Sequence, residues 1–177
     1  MKARVLSWVA SKLMSIAAKH PYRHLFHADG RPYMKRYWLL KVGRGEEVDG
    51  ELMPRWLGIR LHVICSSDDD RVFHDHPWWF VTLLLAGGYY EHRPINPSDW
   101  DWTREQDIRW HGAGSLLFRK AEHWHRLSLP EGHRAVTLFI HGPRAQSWGF
   151  LFKGRKMPWR EFVTMQVSDV RAEETSA

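Results

Sequence analysis

Apolar residues near the start of the chain recur at intervals of three and four positions. The series comprises Val5, Leu6, Val9, Leu13, Ile16 and Ala17. Such spacing places the apolar side chains on one face of a helix. The pattern therefore predicts an amphipathic helix over residues 4–19 that ends before Pro21, and we expect its apolar face to pack on the outside of a sheet.

From Tyr37 onward the apolar pattern changes to short runs rich in β-branched and aromatic residues. Turn residues, such as Gly43-Arg44-Gly45 and Pro130-Glu131-Gly132, separate these runs. The predicted strands cover residues 37–42, 57–65, 79–85, 88–92, 115–119, 125–129 and 135–141. Many short strands with no helices between them indicate an antiparallel sandwich or barrel. We therefore predict a mainly β fold with one N-terminal helix.

Length and composition fit a single domain. The chain has 177 residues, of which 44% are hydrophobic, and this is enough to fill one core. We divide it into a helix with a lead-in segment at 1–36, a barrel at 37–167 and a tail at 168–177. The tail is polar and has no apolar periodicity, so we expect it to be disordered. Cys65 is the one cysteine, so no intramolecular disulfide can form and we expect a cytoplasmic protein.

The charge balance favours anionic partners. The chain carries 26 Lys and Arg against 20 Asp and Glu, a net charge of +6. The basic residues are scattered, without recognition-helix or zinc-finger spacing, so we expect no nucleic-acid partner. Lys12 interrupts the apolar start, and we expect neither a cleaved secretory signal nor a membrane partner. The alternative that Lys2, Arg4, Lys12 and Lys19 rest on a lipid surface stays open.

The twelve histidines are informative through their placement. In the segment His74-Asp75-His76, an extended backbone would point both imidazoles to the same side, where they can bind one ion. His125 begins an alternating apolar run much later in the chain, which suits a third ligand from across a barrel. His123 lies two positions before His125, so in an extended segment both side chains point to the same face. It is therefore either a supporting residue or the ligand in place of His125.

These two segments resemble the two motifs of the cupin superfamily. His74-x-His76, four residues, Val81, six residues and Gly88 match the spacing of the first motif, which reads His-x-His, Glu and Gly. Gly114, five residues, Lys120-Ala121-Glu122, two residues and His125 match the second motif, which reads Gly, Pro-x-Gly and His. The identities differ in part, because Val81 stands in place of the glutamate and Lys120 and Glu122 in place of Pro and Gly. The matched region covers residues 60–141.

The resemblance implies a cupin double-stranded β-helix, a jelly-roll barrel, that holds one divalent transition metal on His74, His76 and His125. Fe(II) is the preferred ion, and Zn, Ni and Mn are alternatives. The motif spacing implies that Val81 faces the metal. A site of three neutral histidines then keeps coordination positions open for an anionic substrate or O2, as in cupins that resemble thiol and diketone-cleaving dioxygenases.

Further residues are candidates for catalysis and substrate binding. The acid-base candidates are Lys120, Glu122 and His123, with Glu91 and Glu105 as less distinctive carboxylates. The candidates for binding a carboxylate or phosphate are Arg60, Arg119 and Arg126. We expect His62 and His141 to be pocket or core residues and Asp75 to point away from the ion.

Three other groups of residues have simpler interpretations. Cys65 lies in an apolar run and is expected to be inert. The Asp68-Asp69-Asp70 run is expected to be a solvated turn rather than a calcium loop. The tryptophans either line a pocket or fill and cover the barrel; those next to polar residues are Trp78, Trp79, Trp100, Trp102, Trp110 and Trp124.

The function predicted first is an Fe(II)-dependent dioxygenase that acts on a small, anionic molecule. One alternative is a metal-dependent isomerase or lyase of sugar or nucleotide chemistry, in which the ion polarises a carbonyl. The other alternative is a non-catalytic, ligand-binding cupin. Because cupins commonly pair through a barrel edge, we also expect a homodimer.

Overall fold

The computed structural model describes residues 2–20, 24–27, 29–48, 51–68, 72–99, 105–162 and 164–165. The α-helix α1 spans Lys2–Ala17, and a 3-10 turn spans Pro97–Asp99. The strands are β1 (Leu25–Phe26), β2 (Pro32–Val48), β3 (Glu51–Ile64), β4 (Phe80–Pro94), β5 (Gln106–Gly112), β6 (Leu116–Arg119), β7 (Arg126–Ser128), β8 (Ala135–His141), β9 (Gly149–Phe152) and β10 (Arg155–Pro158).

The strands pair in antiparallel fashion, which confirms the predicted mainly β fold. The main sheet has the order β1-β2-β3-β8-β4-β5, and β6 and β7 also pair with β4. The first half of β4 pairs with β8 and β6, and its second half pairs with β5 and β7. Because β4 is shared in this way, the sheet folds over on itself and encloses an interior.

β4 changes the direction of its inward side chains at a β-bulge. Before the bulge, Phe80 faces inward and is buried. Leu84 and Ala86 pair with consecutive residues of β8, so one extra residue is inserted between them. Beyond the bulge the inward positions are odd rather than even, which brings the Glu91 side chain into the interior, where it is 1% exposed.

Gly87 allows this bulge to form. Its φ is +66°, a backbone conformation that residues other than glycine rarely adopt. A Cβ at this position would also lie 1.8 Å from the carbonyl oxygen of Arg134. Both constraints require glycine where β4 passes from one half of the barrel to the other.

α1 confirms the predicted helix and its packing on the outside of the sheet, but Val5 and Ile16 of the predicted apolar series are 55% and 57% exposed. Ala10 and Ala17 are buried against Leu61 of β3 and Leu85 of β4, which lie on the outer face of the sheet. Partly buried side chains of the helix complete this contact; they are Leu6, Val9, Leu13 and Met14. Within the described part of the chain, no helix is both long and apolar enough to cross a membrane.

The strand boundaries differ from the predicted ones in several places. The predicted strands 79–85 and 88–92 are one continuous strand, β4, and β2 begins at Pro32, inside the predicted lead-in segment. The sequence pattern did not predict β1, β5, β9 or β10. Each of these strands is short or mostly exposed, so an alternating apolar signal is weak there. The predicted tail at 168–177 lies outside the described residues.

Candidate metal centre

The two histidine segments meet as a short antiparallel bridge. The backbone N–H of His74 donates to the carbonyl of His125 at 2.9 Å, and the N–H of His125 donates to the carbonyl of His74 at 3.0 Å. This bridge places the residue that precedes β7 beside the segment that precedes β4. Segments that are distant in sequence thereby contribute neighbouring side chains.

The ring nitrogens of His74, His76 and His125 converge on one point. One nitrogen of each ring lies within 4.8 Å of the others, and the Nε2 atoms of His76 and His125 are 2.8 Å apart. The ring centroid of His74 lies 5.3 Å from that of His76 and 4.9 Å from that of His125. Three imidazoles are a donor set that suits divalent transition metals, so these side chains fit one such ion.

Burial keeps two of these rings neutral, which is the form that binds a metal. Burial, and after it the neighbouring His125, hold the pKa of His76 well below its ordinary value. Burial likewise lowers the pKa of His125 to about 4, although the Glu91 carboxylate acts in the opposite direction. Both rings therefore offer a nitrogen lone pair at neutral pH.

The Glu91 carboxylate is buried on the far side of His125. Nδ1 of His125 lies 3.1 Å from Oε1 of Glu91. Arg119 donates to both carboxylate oxygens, through Nε at 3.0 Å and through Nη2. The Nε2 atoms of His111 and His123 lie 3.1 and 3.3 Å from the same carboxylate. The Glu91 carboxylate is thus in contact with one arginine and three histidines.

These contacts fix the state of both Glu91 and His125. Burial is the largest single effect and raises the pKa of Glu91, but the hydrogen bonds from His123, His125 and Arg119 together outweigh it and hold that pKa far below its usual range. The ionised Glu91 carboxylate accepts a hydrogen bond from the protonated Nδ1 of His125. The Nε2 atom of His125 is then left to face the other two histidines.

Glu91, His123 and His125 form a second group whose ligand atoms lie within 4.8 Å of one another. The guanidinium of Arg119 already binds this carboxylate from the side, and its positive charge opposes a cation there. The group of His74, His76 and His125 therefore fits a metal ion better. His123 contacts Glu91 and, ring to ring, His125 at 5.5 Å, and it does not belong to the group that includes His74 and His76.

Asp75 lies between two of the converging histidines and points the other way, as predicted. Its carboxylate is 1% exposed and accepts hydrogen bonds from the backbone N–H of Gly149 at 2.7 Å and from Nε2 of Gln146 at 3.0 Å. Nζ of Lys156 in β10 completes an ion pair with it. These contacts anchor the His-x-His segment to the β9–β10 hairpin.

The prediction that Val81 faces the metal is wrong. The ring of its neighbour Phe80 lies 4.4 Å from the ring of His76, and adjacent residues of a strand point to opposite faces. Val81 pairs with Phe118 of β6 and Ile140 of β8, and Phe118 is 57% exposed on the outer face. The carboxylate nearest to the histidines comes instead from Glu91, beyond the bulge.

The three candidate arginines have different surroundings. Arg119 binds Glu91, as described above. Arg126 lies on β7 next to the inward-facing Leu127 and contacts His92 and Gln106, both at 3.2 Å. Only Arg60 lies inside the barrel with its guanidinium directed at a histidine, since its Nη2 donates to Nε2 of His141 at 3.0 Å.

Arg60 sits in an aromatic enclosure. It is 2% exposed, and its guanidinium carbon lies 4.3 Å from the ring centroid of Trp38 and 5.1 Å from that of Trp78. Trp78 in turn stacks on His141 at 4.1 Å. Burial lowers the pKa of His141 to about 3, so this ring accepts the hydrogen bond from Arg60 as a neutral group.

His62 is a further buried ring on the same side of β3. It stacks on Phe139 with centroids 4.7 Å apart, and Phe139 lies 6.4 Å from His76. The Nε2 atom of His62 is buried and has no hydrogen-bond partner among the described residues. Burial, followed by the charge of Arg60, holds the pKa of His62 well below its ordinary value. His62 and His141 are thus interior residues, as predicted.

The structure brings several predicted catalytic residues together in one surface cleft. The cleft has a volume of about 420 Å³ and is lined by Arg93, Phe118, Arg119, Lys120, Glu122 and His123. His123 links it to Glu91 and thereby to His125. The predicted acid-base candidates therefore line a cleft beside the three-histidine group rather than the group itself.

The remaining candidates are distant from the histidines or structural. Cys65 lines a separate pocket with Ser66 and Pro130, and its thiol donates to the carbonyl of Val63. The prediction that Asp68 lies in a solvated turn is wrong, because its carboxylate accepts a hydrogen bond from the backbone N–H of Leu127 at 2.6 Å. The predictions for Asp69, Asp70, Trp100 and Trp102 fall outside the described residues.

The sequence did not single out the role of Glu91. Its one local signal is Gly87, since glycine inside a strand pattern often marks a bulge, and a bulge changes the parity of the residues that follow. If the alternation of inward and outward residues is restarted at Gly87 instead of being continued from His76, it predicts that the Glu91 side chain points to the interior.

Comparison with known proteins gives a structural likeness only. No model of a known protein family matches the chain, and no curated protein matches it in sequence. A structure of the DMSP lyases RdDddP and RnDddQII superposes with a TM-score of 0.52 at 17% identity, over 77% of this chain and 64% of that one. The chain thus spans less than two thirds of that lyase chain.

Two other solved structures superpose with lower TM-scores. The polyketide cyclase RemF from Streptomyces resistomycificus has a TM-score of 0.46 at 16% identity, over 68% of this chain and 72% of that one. A cupin-like protein from Thermotoga maritima has a TM-score of 0.44 at 11% identity, over 67% and 75% of the two chains. At these identities the likeness concerns the fold alone.

The antiparallel sheet that folds over at β4 has the jelly-roll arrangement of the cupin fold, and its His-x-His segment is bridged to a third histidine. The chain has this fold, as its motif spacing predicts, and it has a three-histidine cluster that fits the metal site of the class.

Proposed function

We propose that the protein is a metal-dependent cupin enzyme in which His74, His76 and His125 hold one divalent transition metal, with Fe(II) as the preferred ion. The proposed activity is a dioxygenase reaction on a small, anionic molecule. The observation that carries this proposal is the convergence of three imidazole nitrogens within 4.8 Å. When bound, such an ion supplies open coordination positions for a substrate and O2.

The surroundings of the three histidines support an open site. Among the described residues, no carboxylate belongs to the cluster of ligand atoms of His74, His76 and His125; the Asp68 carboxylate lies 3.9 Å from Nδ1 of His74 and accepts the N–H of Leu127. Phe80 and Phe139 stack on each other at 5.1 Å beside His76 and give the site an apolar wall, which limits the access of water. Position 81 faces outward and leaves this wall intact.

Other residues of the chain position the histidines. Glu91 orients His125 through Nδ1, and Arg119 holds Glu91 in place. Asp75 fixes the backbone between His74 and His76. Among the three candidate arginines, Arg60 is the one we propose for an anionic group of the substrate, because its guanidinium is buried inside the barrel beside His141.

A metal-dependent isomerase or lyase is the second candidate function. The observation that favours it is the cleft beside Glu91, which Lys120, Glu122 and His123 line together. A general base must lie within hydrogen-bonding reach of the proton that it removes. These three side chains give the cleft such a base, and the ion would polarise a substrate carbonyl.

Metal analysis of the purified protein tests the proposal directly. We expect one transition-metal ion per chain, and each of His74→Ala, His76→Ala and His125→Ala should lower the occupancy strongly. His20→Ala is the matched control, because His20 is exposed and lies outside the cluster. Full occupancy in the His125→Ala variant would remove His125 from the site and implicate His123.

The metal content and an O2-uptake screen together separate the two functions. Stoichiometric iron with O2 uptake in the presence of thiols, diketones or small acids is the result expected for a dioxygenase. Stoichiometric zinc or manganese without uptake would favour the isomerase or lyase. Protein that binds no transition metal, even after reconstitution, would overturn the proposal and favour a ligand-binding cupin.

We also propose that the chain forms a homodimer through the edge of its sheet. The first part of β2 contacts β1, and the N–H groups of Arg36 and Trp38 donate to His24 and His20. From residue 39 onward β3 is the one described strand that pairs with β2, and a strand edge of this kind favours pairing with another chain. Sedimentation at several concentrations should give a dimer mass. A monomer mass throughout would refute this.

A further inference from the structure

The net positive charge of the protein is concentrated at its N-terminal end, although the basic residues themselves are scattered along the chain. Residues 1–28 contain five Lys and Arg and no Asp or Glu, and the first acidic residue is Asp29. The remaining 149 residues carry 21 basic against 20 acidic side chains. Nearly all of the net charge of +6 therefore belongs to α1 and the residues just after it.

α1 is part of the folded domain and presents two different faces. Its inner face is fixed to the sheet by the buried Ala10 and Ala17. Its outer face exposes three large apolar side chains: Val5 is 55%, Trp8 61% and Ile16 57% exposed. An exposed apolar set of this kind on a packed helix calls for a partner.

Cations alternate with these apolar side chains on the same face. Arg4, Lys12 and Lys19 are exposed, and Nζ of Lys12 lies 5.8 Å from the ring centroid of Trp8. A tryptophan flanked by lysines is well suited to the boundary between lipid headgroups and acyl chains. Its ring is amphipathic, and lysine stems can lie along apolar surface while their ammonium groups stay in water.

We propose that the outer face of α1 binds the surface of an anionic lipid bilayer, with the helix lying in the plane of the interface. The charge of residues 1–28 complements anionic headgroups, and Val5, Trp8 and Ile16 supply the apolar contact that an interfacial helix requires. A purely acidic macromolecule would account for the cations but not for the three exposed apolar side chains. The lipid surface accounts for both.

Vesicle co-sedimentation of the full chain tests this proposal. The protein should bind vesicles of 70% phosphatidylcholine and 30% phosphatidylglycerol at low salt, and bind pure phosphatidylcholine at least about tenfold more weakly. High salt should weaken the binding to anionic vesicles, because exposed charges are then screened. Trp8→Ala should lower the affinity about tenfold through the lost apolar contact.

Charge variants locate the binding face. Each basic side chain near an anionic surface contributes a factor of about five in affinity, so Lys12→Glu with Lys19→Glu should lower it at least about 25-fold. The matched control is Arg134→Glu with Arg144→Glu, which makes the same charge change at exposed positions far along the chain. It should change the affinity less than about threefold. Trp56→Ala, at a residue 57% exposed on β3, is the control for Trp8→Ala.

Several outcomes would overturn the proposal. Absence of binding to both kinds of vesicle would do so, and so would an equal loss in the helix and control charge variants. Binding to polyglutamate but not to anionic vesicles would assign the face to an acidic macromolecule instead. Circular dichroism should show unchanged folding for every variant, since all the altered side chains are exposed; if Trp8→Ala fails to fold, the charge variants decide.

Discussion

At the scale of single residues, the site depends on which nitrogen of His125 carries a proton. Glu91 accepts the hydrogen bond from Nδ1, and this leaves Nε2 directed at His76, 2.8 Å from its Nε2. A carboxylate that orients a metal-binding histidine commonly affects the metal affinity almost as strongly as the ligand itself. Glu91 is therefore expected to matter although it does not contact the ion.

The first prediction concerns Glu91. Glu91→Gln leaves the guanidinium of Arg119 without its buried anionic partner, so the free energy of unfolding should fall by about 3–5 kcal/mol. Metal affinity should fall about 10–100-fold. Urea unfolding and a competition titration with a chelator measure the two effects.

A double variant separates the two roles of Glu91. Combining Glu91→Gln with Arg119→Met removes the unpaired buried charge and should recover much of the stability. The metal affinity should stay low, because a neutral amide oxygen is a weaker acceptor for Nδ1–H of His125 than the carboxylate it replaces. Recovery of the metal affinity in the double variant would contradict the orienting role.

The second prediction concerns Val81, which the motif spacing alone would direct at the metal. Because Val81 lies on the outer face of β4, the introduced carboxylate of Val81→Glu should not reach the ion. The absorption spectrum of the Co(II)-substituted variant should match that of the wild-type protein. A spectrum with an additional oxygen ligand would show that position 81 faces inward after all.

At the scale of elements, the bulge in β4 connects the fold to the site. It lets one strand direct Phe80 at the histidines from one half and Glu91 from the other. The register of β4 with β8 shifts between Leu84 and Ala86, next to Gly87. A change that removes the bulge would therefore turn Glu91 to the outer face.

The third prediction follows from this dependence. Gly87→Ala combines a φ of +66° with a Cβ placed 1.8 Å from a backbone oxygen, and it should cost about 3 kcal/mol or more of stability. Gly132→Ala is the matched control. Its φ is +71°, but nothing lies within 4 Å of the added Cβ, so the cost should be about 1 kcal/mol.

Thermal and urea unfolding of the two glycine variants provide the measurement. Similar losses of stability in both would show that backbone conformation alone accounts for the effect and that the close approach to Arg134 has relaxed. A selective loss of metal affinity in the folded Gly87→Ala protein is expected as well, since the direction of Glu91 depends on the bulge.

At the scale of the whole molecule, the barrel interior contains histidines that burial keeps neutral. His62 and His141 both have pKa values below the ordinary one because they are buried. In the unfolded chain these rings take up protons below a pH of about 6.5, whereas in the native protein they do not. The unfolded state therefore binds more protons in this range, and stability falls as the pH is lowered.

The fourth prediction is the slope of this dependence. Each such histidine contributes up to about 1.4 kcal/mol per pH unit below a pH of about 6.5, and for His141 the loss continues toward its native pKa of about 3. His62→Phe should lower the slope by one such contribution, and the new ring should still stack on Phe139. Urea unfolding between pH 7 and pH 5 measures it. His133→Phe, at an exposed position, should retain the wild-type slope.

The sequence by itself determined the features that depend on local periodicity. The spacing of Leu6, Val9 and Leu13 specifies the inner face of α1, and alternation specifies most strands of the barrel, because burial of apolar side chains repeats with the geometry of each element. The spacing of His74, His76 and His125 likewise predicts the cluster, since the cupin motifs describe positions along strands that a fixed topology brings together.

Only the tertiary structure decided the rest. The inward direction of Glu91 depends on the bulge between Leu84 and Ala86. Val81 precedes the bulge, and its outward direction is set by the pairing of β4 with β6 and β8, which the motif spacing does not specify. Arg60, Trp38 and Trp78 are far apart in sequence, so their contact depends on the pairing of β3 with β2 and β8 and of β4 with β8, and not on any local pattern. The composition gives the net charge, but the exposure of Trp8 beside Lys12 follows from which face of α1 the sheet leaves uncovered.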